Sequence, residues 1–356
     1  MGEEWSGFRW RRKLIMNLKE LAEELHLSQT TVSRALNGYP EVSEKTREIV
    51  LAAAQRFGYR PSPAARRLAT GRAHALGVVF NAERNALMDP LFVEYLAGVA
   101  EVSAKQGFDI LISPSTPRDE IATFGRLARD GTVDVVILSA PLIVDARISL
   151  LSELKFPFVV HGRPPEPAGV SYIDIDNFGA FQQATSFLIQ LGHRRITLIN
   201  GEEHFTFAQD RSHGAAIAFA AAGLPKNMLE EHFMPMTAEN AYRCARQALE
   251  SDERPTAFLC GSILVALGVL RAAAELGLDV PRDLSIIAHD DEMPAFPADQ
   301  FHPQLTTTRS SIRAAGTRVA EMALARVAGQ KPGTVADVWP VQLIVRGSTA
   351  AAPERG

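Results

Sequence analysis

Cysteine is scarce in this chain: of its 356 residues, only Cys244 and Cys260 are cysteines. They form no Cys-x-x-Cys pair and have no histidine cluster nearby at metal-ligand spacing, which argues against a disulfide framework and against a bound metal. No apolar run is long enough to span a membrane, and the N-terminus lacks the apolar core of a signal peptide. We therefore expect buried thiols, no metal, no membrane partner and a cytoplasmic location.

Catalytic and cofactor motifs are missing as well. The sequence has no Gly-x-Gly-x-x-Gly fingerprint, no P-loop and no Gly-x-Ser-x-Gly elbow. His289, Asp290 and Asp291 are adjacent, but successive side chains at a strand end point apart and cannot all face one substrate. We predict that the chain is not an enzyme and uses no cofactor.

Positive charge is concentrated at one end of the chain. The net charge is −4, yet residues 1–74 contain 13 Lys and Arg against 8 Asp and Glu, a local +5 that leaves −9 for the other residues. A basic segment of this kind is suited to phosphate, whereas an acidic body is repelled by it. With 46% apolar and 22% charged residues, the composition is ordinary for a globular chain of two or three domains.

Residues 16–60 carry the pattern of three short helices. The first has Asn17 at the N-cap position and an apolar face at helical spacing, made by Leu18, Leu21, Ala22 and Leu25. A third helix is expected between a cap at Ser43 and a stop at Gly58. The three helices would close a small core of their own.

The second helix, Gln29 to Leu36, follows the first after a tight turn, which predicts a helix-turn-helix. The second helix of such a unit enters the major groove with its N-terminal end toward the base edges. We predict base readout by Gln29, Thr30 and Arg34, and phosphate contacts by Ser28, Thr31, Ser33 and Asn37. The alternative is an ordinary trihelical domain that binds protein or nothing.

A further short helix is predicted within residues 61–74. Ser62 fits its N-cap, Pro63 its first helical position and Gly71 its stop. Because so short a helix is marginal in isolation, it would fold only in the presence of DNA and so couple the two parts of the chain.

From Ala75 onward, short β-rich runs alternate with helical stretches. Strands are expected at 76–80, 109–112, 134–138, 157–160, 195–199, 256–260 and 284–288. Such alternation predicts doubly wound parallel sheets, and seven strands over about 270 residues favour two lobes. Ligands in these folds bind near the carboxyl ends of strands, so we expect a site between the lobes.

Several runs, in order, resemble the LacI/GalR repressors. They are Leu-Ser-Gln-Thr-Thr-Val-Ser-Arg-Ala-Leu-Asn at 27–37, Val-Ser-Glu-Lys-Thr-Arg at 42–47, Gly-Tyr-Arg-Pro at 58–61 and Ala-Arg-Arg-Leu at 65–68. The resemblance extends to about Gly347. It implies an N-terminal all-α helix-turn-helix domain followed by an α/β two-lobed domain like the periplasmic binding proteins.

The resemblance also implies a homodimer on a pseudo-palindromic operator in double-stranded DNA. The hinge helices of two subunits would lie in the minor groove and contact it through Ala65, Arg66 and Leu68. An apolar side chain at Leu68 would act as a wedge that kinks the duplex. The alternative for Leu68 is a linker leucine that packs on the sensor.

Five segments are expected along the chain: an extension at 1–15 with Met16 as a possible start, a helix-turn-helix domain at 16–60, a hinge at 61–74, an effector-binding and dimerisation domain at 75–349, and a tail at 350–356. The chain would cross between lobes near Ile175, Thr308 and Gly333. Lobe 1 would then comprise about 75–175 and 309–333, and lobe 2 about 176–308 and 334–349.

The family pattern implies effector contacts at Asp89, Arg163, Asn177, Arg211 and Asp290. Two departures add His161 and Ser262, because Gly162-Arg163 and Ser262-Ile263 stand where the family usually has Asp-Arg and Asn-Asp. Carboxylates and arginine forks hold vicinal hydroxyls, and an aromatic such as Phe92 covers the apolar face of a sugar. For His161, a purely structural role is an equal alternative.

The runs at 157–163 and 287–291 are similar to repressors of α-glucoside uptake and breakdown. We therefore expect a repressor of α-glucoside genes that a sugar inducer releases from its operator. Two alternatives remain open: a corepressor-activated regulator with a purine or phosphorylated-sugar effector, and a sugar-binding or nicotinamide-dependent protein of the same fold without DNA regulation.

Overall fold

The computed structural model describes residues 16–59, 71–84, 89–290 and 292–354. The chain divides into two compact units, 1–74 and 75–356. The hinge candidates Ala65, Arg66 and Leu68 lie outside the described residues, as do the extension 1–15 and Asp291.

The described part of the first unit has three helices, α1 (Leu18–Glu24), α2 (Gln29–Leu36) and α3 (Glu44–Phe57). The side chains of Asn17, Ser28 and Ser43 each accept a hydrogen bond from a backbone amide of the first turn. Gly58 ends α3 with φ +66°, a left-handed conformation that glycine adopts without strain. All three predicted helices and their caps are confirmed.

The core of this unit takes one fully buried aliphatic side chain from each helix: Leu21, Val32 and Val50. Burying each contributes about 2 kcal/mol. A domain this small depends on every such residue. The outward face of α2 is therefore held in place by a core of few residues.

The first lobe of the second unit is built on a six-stranded parallel sheet with the order β11-β5-β4-β3-β1-β2. Its strands are β1 (Ala75–Asn81), β2 (Asp109–Ser115), β3 (Val135–Ser139), β4 (Phe158–His161), β5 (Tyr172–Ile175) and β11 (Ala336–Trp339). Its helices are α4 (Pro90–Lys105), α5 (Glu120–Arg129), α6 (Ala146–Glu153) and α11 (Ile312–Val327).

The second lobe has a sheet with the order β12-β10-β9-β8-β6-β7, parallel except for β12, which runs antiparallel to β10. Its strands are β6 (Ile196–Asn200), β7 (Leu229–Phe233), β8 (Ala257–Cys260), β9 (Ser285–Asp290), β10 (Thr306–Arg309) and β12 (Gln342–Ile344). Its helices are α7 (Asn177–Gln190), α8 (Thr206–Ala221), α9 (Ala238–Leu249) and α10 (Ile263–Glu275). Short 3-10 helices lie at Ala82–Arg84, Lys226–Met228 and Ala298–Gln300.

The chain crosses between the lobes three times. The crossings after β5 and after β10 confirm the predictions near Ile175 and Thr308. The third prediction, near Gly333, is wrong, because β11 lies beside β5 in the first lobe and the chain crosses only between β11 and β12. Since β11 alternates between exposed and half-buried residues at the edge of its sheet, it gives a weak apolar signal.

The predicted tail, 350–356, begins too early. The backbone amide of Ala352 donates to the carbonyl of Leu191 at 2.8 Å, and the amide of Ala350 donates to Ser285 Oγ at 3.1 Å. Backbone hydrogen bonds that sequence patterns do not reveal thus attach these residues to the second lobe.

Candidate DNA-reading surface and effector cleft

The exposed face of α2 opens on a groove of about 360 Å³. Leu18 and Tyr39 line it together with four residues of α2, namely Gln29, Thr30, Ser33 and Arg34. The three residues predicted to read bases are therefore on one face, and all three are exposed. Amide, hydroxyl and guanidinium groups of this kind match the donors and acceptors on base edges.

Three of the four residues predicted to contact phosphate, Ser28, Thr31 and Asn37, fix the two ends of α2. Ser28 Oγ accepts the amide of Thr31 at 3.0 Å, and the two hydroxyls lie 2.8 Å apart. At the far end, Asn37 Nδ2 donates to the carbonyl of Ser33 at 2.8 Å. Ser28, Thr31 and Asn37 thus have structural roles at the positions where the sequence predicts contacts with DNA.

Arg211 is a buried arginine on α8, in the second lobe, and is 5% exposed. Its Nε donates to Asn177 Oδ1 at 2.7 Å, and its Nη1 donates to the carbonyl of Gly261 at 2.8 Å. The rings of Phe181 and Phe207 lie about 5.0 and 4.9 Å from the guanidinium carbon. These contacts fix the arginine, so a ligand would meet it without first ordering a flexible side chain.

Asn177 connects Arg211 to a buried carboxylate that the sequence did not single out. Asn177 Nδ2 donates to Asp174 Oδ1 at 3.3 Å, and Asp174 Oδ2 lies 3.4 Å from Arg163 Nε. Burial raises the pKa of Asp174 to about 6, although the guanidinium of Arg163 acts in the opposite direction. Predicted residues of both lobes, Arg163 and Asn177, therefore meet at Asp174.

Asp210, next to Arg211 on α8, is a second carboxylate that was not predicted. Burial raises its pKa, Arg163 opposes this, and the nearby charge of Asp176 raises it further. Asp176 itself caps α7, because its Oδ1 accepts the amide of Gly179 at 2.9 Å. The run Asp-Ile-Asp-Asn at 174–177 is the available signal, but it begins at the end of β5, a strand that the sequence pattern does not predict.

Three further candidates, Asp89, Ser262 and Asp290, all cap local structure. Their side chains accept hydrogen bonds from backbone amides two or three residues further on, at distances of 3.0, 3.3 and 2.8 Å respectively. Ser262 directly follows Gly261, the carbonyl of which Arg211 contacts. Asp290 ends β9 and is 6% exposed, while Asp89 begins α4 in the other lobe.

The aromatic candidates pack within the first lobe. The ring of His161 stacks on Tyr95 at 4.8 Å between centroids, and the Tyr95 hydroxyl accepts a hydrogen bond from Ser139 Oγ at 3.1 Å. Phe92 lies against the apolar core of this lobe, with its ring 6.1 Å from that of Phe80. Both residues thus have packing partners within the protein itself.

Two backbone segments join the lobes directly; we call residues 141–143 and 204–206 the clasp. Leu142 forms an antiparallel bridge with Phe205, and the amide of Ile143 donates to the carbonyl of His204 at 3.0 Å. Thr206 Oγ1 also donates to the carbonyl of Arg163 at 2.8 Å. The first lobe thus contacts the start of α8, the helix that carries Arg211.

Next to the clasp, the backbone at Gly162 leaves no room for a side chain. Gly162 has φ +110°, and a Cβ built there would lie 2.5 Å from Cδ of Pro141. Any side chain at this position would be strained and would displace the clasp. An aspartate at this position would therefore not be compatible with the clasp as it stands.

The first-lobe half of the clasp is held by a buried ion pair. Arg147 Nη2 lies 2.6 Å from Asp145 Oδ2, with both side chains at most 7% exposed. Asp145 Oδ2 also accepts the amide of Leu142 at 2.9 Å, and Arg147 Nη2 donates to the carbonyl of Ala140 at 3.0 Å. This segment is therefore fixed by contacts within its own lobe.

Two kinds of feature do not occur in the described residues. No group of three or more His, Cys, Asp and Glu side chains there is placed to hold a metal ion. Nor does that part of the chain include a helix of sufficient length and apolarity to cross a membrane.

A helix-turn-helix unit followed by a two-lobed α/β unit with a polar interlobe site defines a ligand-responsive DNA-binding regulator. Residues 17–62 match the model of bacterial regulatory proteins of the lacI family, and residues 185–349 match that of the periplasmic binding protein-like domain. The chain is 47% identical to the HTH-type transcriptional regulator AglR of Rhizobium meliloti (strain 1021) over 341 residues, 96% of each chain. The protein belongs to the LacI family.

Other relatives agree with this assignment. The HTH-type transcriptional regulator CelR of Thermobifida fusca is 30% identical over 93% of this chain and 97% of its own. A solved complex of a transcriptional regulator CelR with cellobiose is 28% identical, with a TM-score of 0.69 over 93% of this chain and 99% of that one. The lac repressor dimer bound to operator and the anti-inducer ONPF has a TM-score of 0.79 at 24% identity, over 94% of this chain and 99% of that one. It therefore shares the fold.

Proposed function

We propose that this protein represses genes for the use of carbohydrates, specifically α-glucosides, and leaves its operator when an α-glucoside binds between the lobes. The observation that carries the proposal is that one chain combines a surface suited to DNA with a polar site between two lobes. An exposed face of α2 offers Gln29, Thr30 and Arg34 to DNA, and the second unit holds Arg211 and Asn177 where its lobes meet.

The choice of a sugar rests on the chemistry of the site. Fixed guanidinium and carboxylate groups bind the paired hydroxyls of a polyol, and the aromatic ring of Phe207 lies beside Arg211. A relative of this chain is described in complex with cellobiose. The preference for α-linked glucosides rests on the runs at 157–163 and 287–291.

Operator binding would involve a homodimer. Leu111 and Ile112 are exposed on β2, an edge strand of the first-lobe sheet, and Val93 and Ile121 are exposed on α4 and α5. Exposed apolar groups on an edge strand are suited to burial against a second copy. In this dimer Ala65, Arg66 and Leu68 would contact the minor groove; mass measurement by light scattering tests the stoichiometry.

The coupling between sugar and operator would be a shift between two populations. A ligand moves such an equilibrium only as far as its affinities for the two states differ. A ligand between the lobes could contact Arg163 on one side and Asn177 on the other. Because these contacts come from both lobes, the affinity of the ligand would differ between the two states.

A thermal-shift screen identifies the effector. A ligand present at about 100 times its dissociation constant adds about 2.7 kcal/mol to the free energy of unfolding and so raises the melting temperature. We expect shifts with maltose, sucrose or trehalose that exceed those with the β-linked controls cellobiose and lactose. Shifts with purines alone would support a corepressor instead and would contradict the proposal.

A further inference from the structure

Five Asp and Arg side chains interact electrostatically where the lobes meet, and His213 acts on one of them, Asp210. Arg163 and Arg211 influence Asp174, and Asp176 and Arg163 influence Asp210. Three carboxyl groups thus accompany two guanidinium groups. When all are ionised, this set carries a net charge of −1.

The protein satisfies the two guanidinium groups to different extents. Arg211 donates to Asn177 and to the carbonyl of Gly261 and lies between two aromatic rings. Arg163 is ion-paired with Asp174 at 3.4 Å, but its Nε makes no hydrogen bond and its side chain is 37% exposed. An anionic ligand would have to compete with the hydrogen-bond partners of Arg211 and, at Arg163, with the carboxylate of Asp174. It would also meet the excess of carboxylates.

Asp174 provides a second and independent observation. Its side chain is 5% exposed, and Oδ2 makes no hydrogen bond, because the ion pair with Arg163 at 3.4 Å lacks hydrogen-bond geometry. Buried acceptors without a donor are rare, since they give up their hydrogen bonds to water without replacement. A ligand hydroxyl is a neutral donor that would satisfy this oxygen.

We propose that Asp174 determines the class of effector: its Oδ2 accepts a hydrogen bond from a hydroxyl of an unphosphorylated sugar, and the carboxylate excess excludes phosphorylated sugars. The inference rests on the proposed function for the location of the site, but it does not depend on which sugar binds. It deepens that function by separating free sugars from the phosphorylated sugars that many cells also produce.

Isothermal titration of the full-length protein against matched pairs tests the inference. The pairs are glucose, maltose, sucrose and trehalose, each with its 6-phosphate. A phosphate monoester adds between one and two negative charges near neutral pH, so we expect the unphosphorylated member of at least one pair to bind at least about tenfold tighter. Equal or tighter binding of the phosphorylated members, or binding of none of the eight, would overturn the inference.

Variants then test the role of Asp174. Asp174→Asn keeps the shape and removes the charge; we expect it to weaken binding of the unphosphorylated sugar about tenfold and to narrow the preference over its phosphate. Asp210→Asn should also reduce the preference for the unphosphorylated sugar over its phosphate. Asp252→Asn, an exposed position in the second lobe, is the matched control. If Asp174→Asn and Asp210→Asn both fold and retain the wild-type preference, the inference is wrong.

Operator binding measured in parallel separates this inference from the proposed function. If an unphosphorylated sugar binds with the expected preference but leaves operator affinity unchanged, the regulatory proposal fails and the charge selection stands. If only a phosphorylated sugar binds and releases the operator, the charge selection fails and sugar-controlled regulation stands.

Discussion

The carbonyl oxygen of Pro141 in the first lobe accepts a hydrogen bond from the backbone amide of Thr206 in the second, at 3.1 Å. Phe205 offers α8 no side-chain cap, so this carbonyl satisfies one of the amides that a helix start leaves without a partner. Because α8 also carries Arg211, lobe contact and the conformation of the effector site stabilise each other.

Thr206→Val tests this connection. The substitution keeps the shape of the side chain but removes the hydroxyl that donates to the carbonyl of Arg163. One lost hydrogen bond costs about 1 kcal/mol, so effector affinity should fall about fivefold in isothermal titration while operator affinity without effector stays the same. Thr334→Val, at an exposed site in the first lobe, is the control. Unchanged effector affinity would show that the clasp does not contribute to binding.

Arg211→Lys should abolish the response to effector. Lysine keeps the charge but cannot reproduce the two directed hydrogen bonds to Asn177 and Gly261, so we expect effector affinity to fall by about a hundredfold or more. Operator binding should persist, since the DNA-reading surface lies in the other unit. If the variant still releases the operator when effector is added, Arg211 is not an effector contact. If the variant fails to fold, Arg211 is a structural residue. Arg243→Lys, at an exposed position of α9, is the control.

Arg34→Ala should weaken operator binding by about 1–3 kcal/mol and relax specificity at one base pair. The reason is that its guanidinium lies on the exposed face of α2 with Gln29 and Thr30. Anisotropy titrations against single-base operator variants measure the effect. A loss of the same size on every sequence, with a shallower salt dependence, would make Arg34 a phosphate contact instead.

The buried carboxyl of Asp174 predicts a dependence of stability on pH. Burial raises its pKa from an ordinary 3.8 to about 6, against the effects of Arg163 and Arg211, while Asp210 raises it further. Folding therefore favours the protonated form, and this contribution to stability is complete below pH 4 and is lost as the pH rises through 6. Because asparagine does not ionise, the Asp174→Asn variant should not lose this stability as the pH rises.

Urea unfolding at pH 5, 6 and 7 measures this effect. Between pH 5 and 7 the free energy of unfolding of Asp174→Asn should rise relative to wild type by about 1 kcal/mol. A constant difference across this range would mean that Asp174 titrates at its ordinary pKa.

The features that the sequence predicted correctly depend on local signals. Asn17, Ser28 and Ser43 each lie next to the helix they cap, and strands β3 and β8, near the centres of their sheets, are almost entirely apolar. The two ring nitrogens of His289 bond to the hydroxyls of Thr308 and Ser310, residues of a neighbouring strand and the loop after it.

The features that the sequence missed depend on contacts between distant segments. Strands β5, β7, β10, β11 and β12 were not predicted, because each is short and includes polar side chains that interrupt or replace an apolar run. Because β5 was not predicted, Asp174 at its end was not recognised. The clasp joins residues about 60 positions apart by backbone hydrogen bonds, for which no side-chain pattern is required.

Operator affinity with and without an α-glucoside is the most direct test of the central claim. The measurement is fluorescence anisotropy of the operator, selected from random DNA, titrated with the full-length protein in the presence of each sugar. We predict that an unphosphorylated α-glucoside raises the apparent dissociation constant at least about tenfold, within the usual range of allosteric coupling. An unchanged constant with every sugar, or one that falls, would contradict an inducer-released repressor.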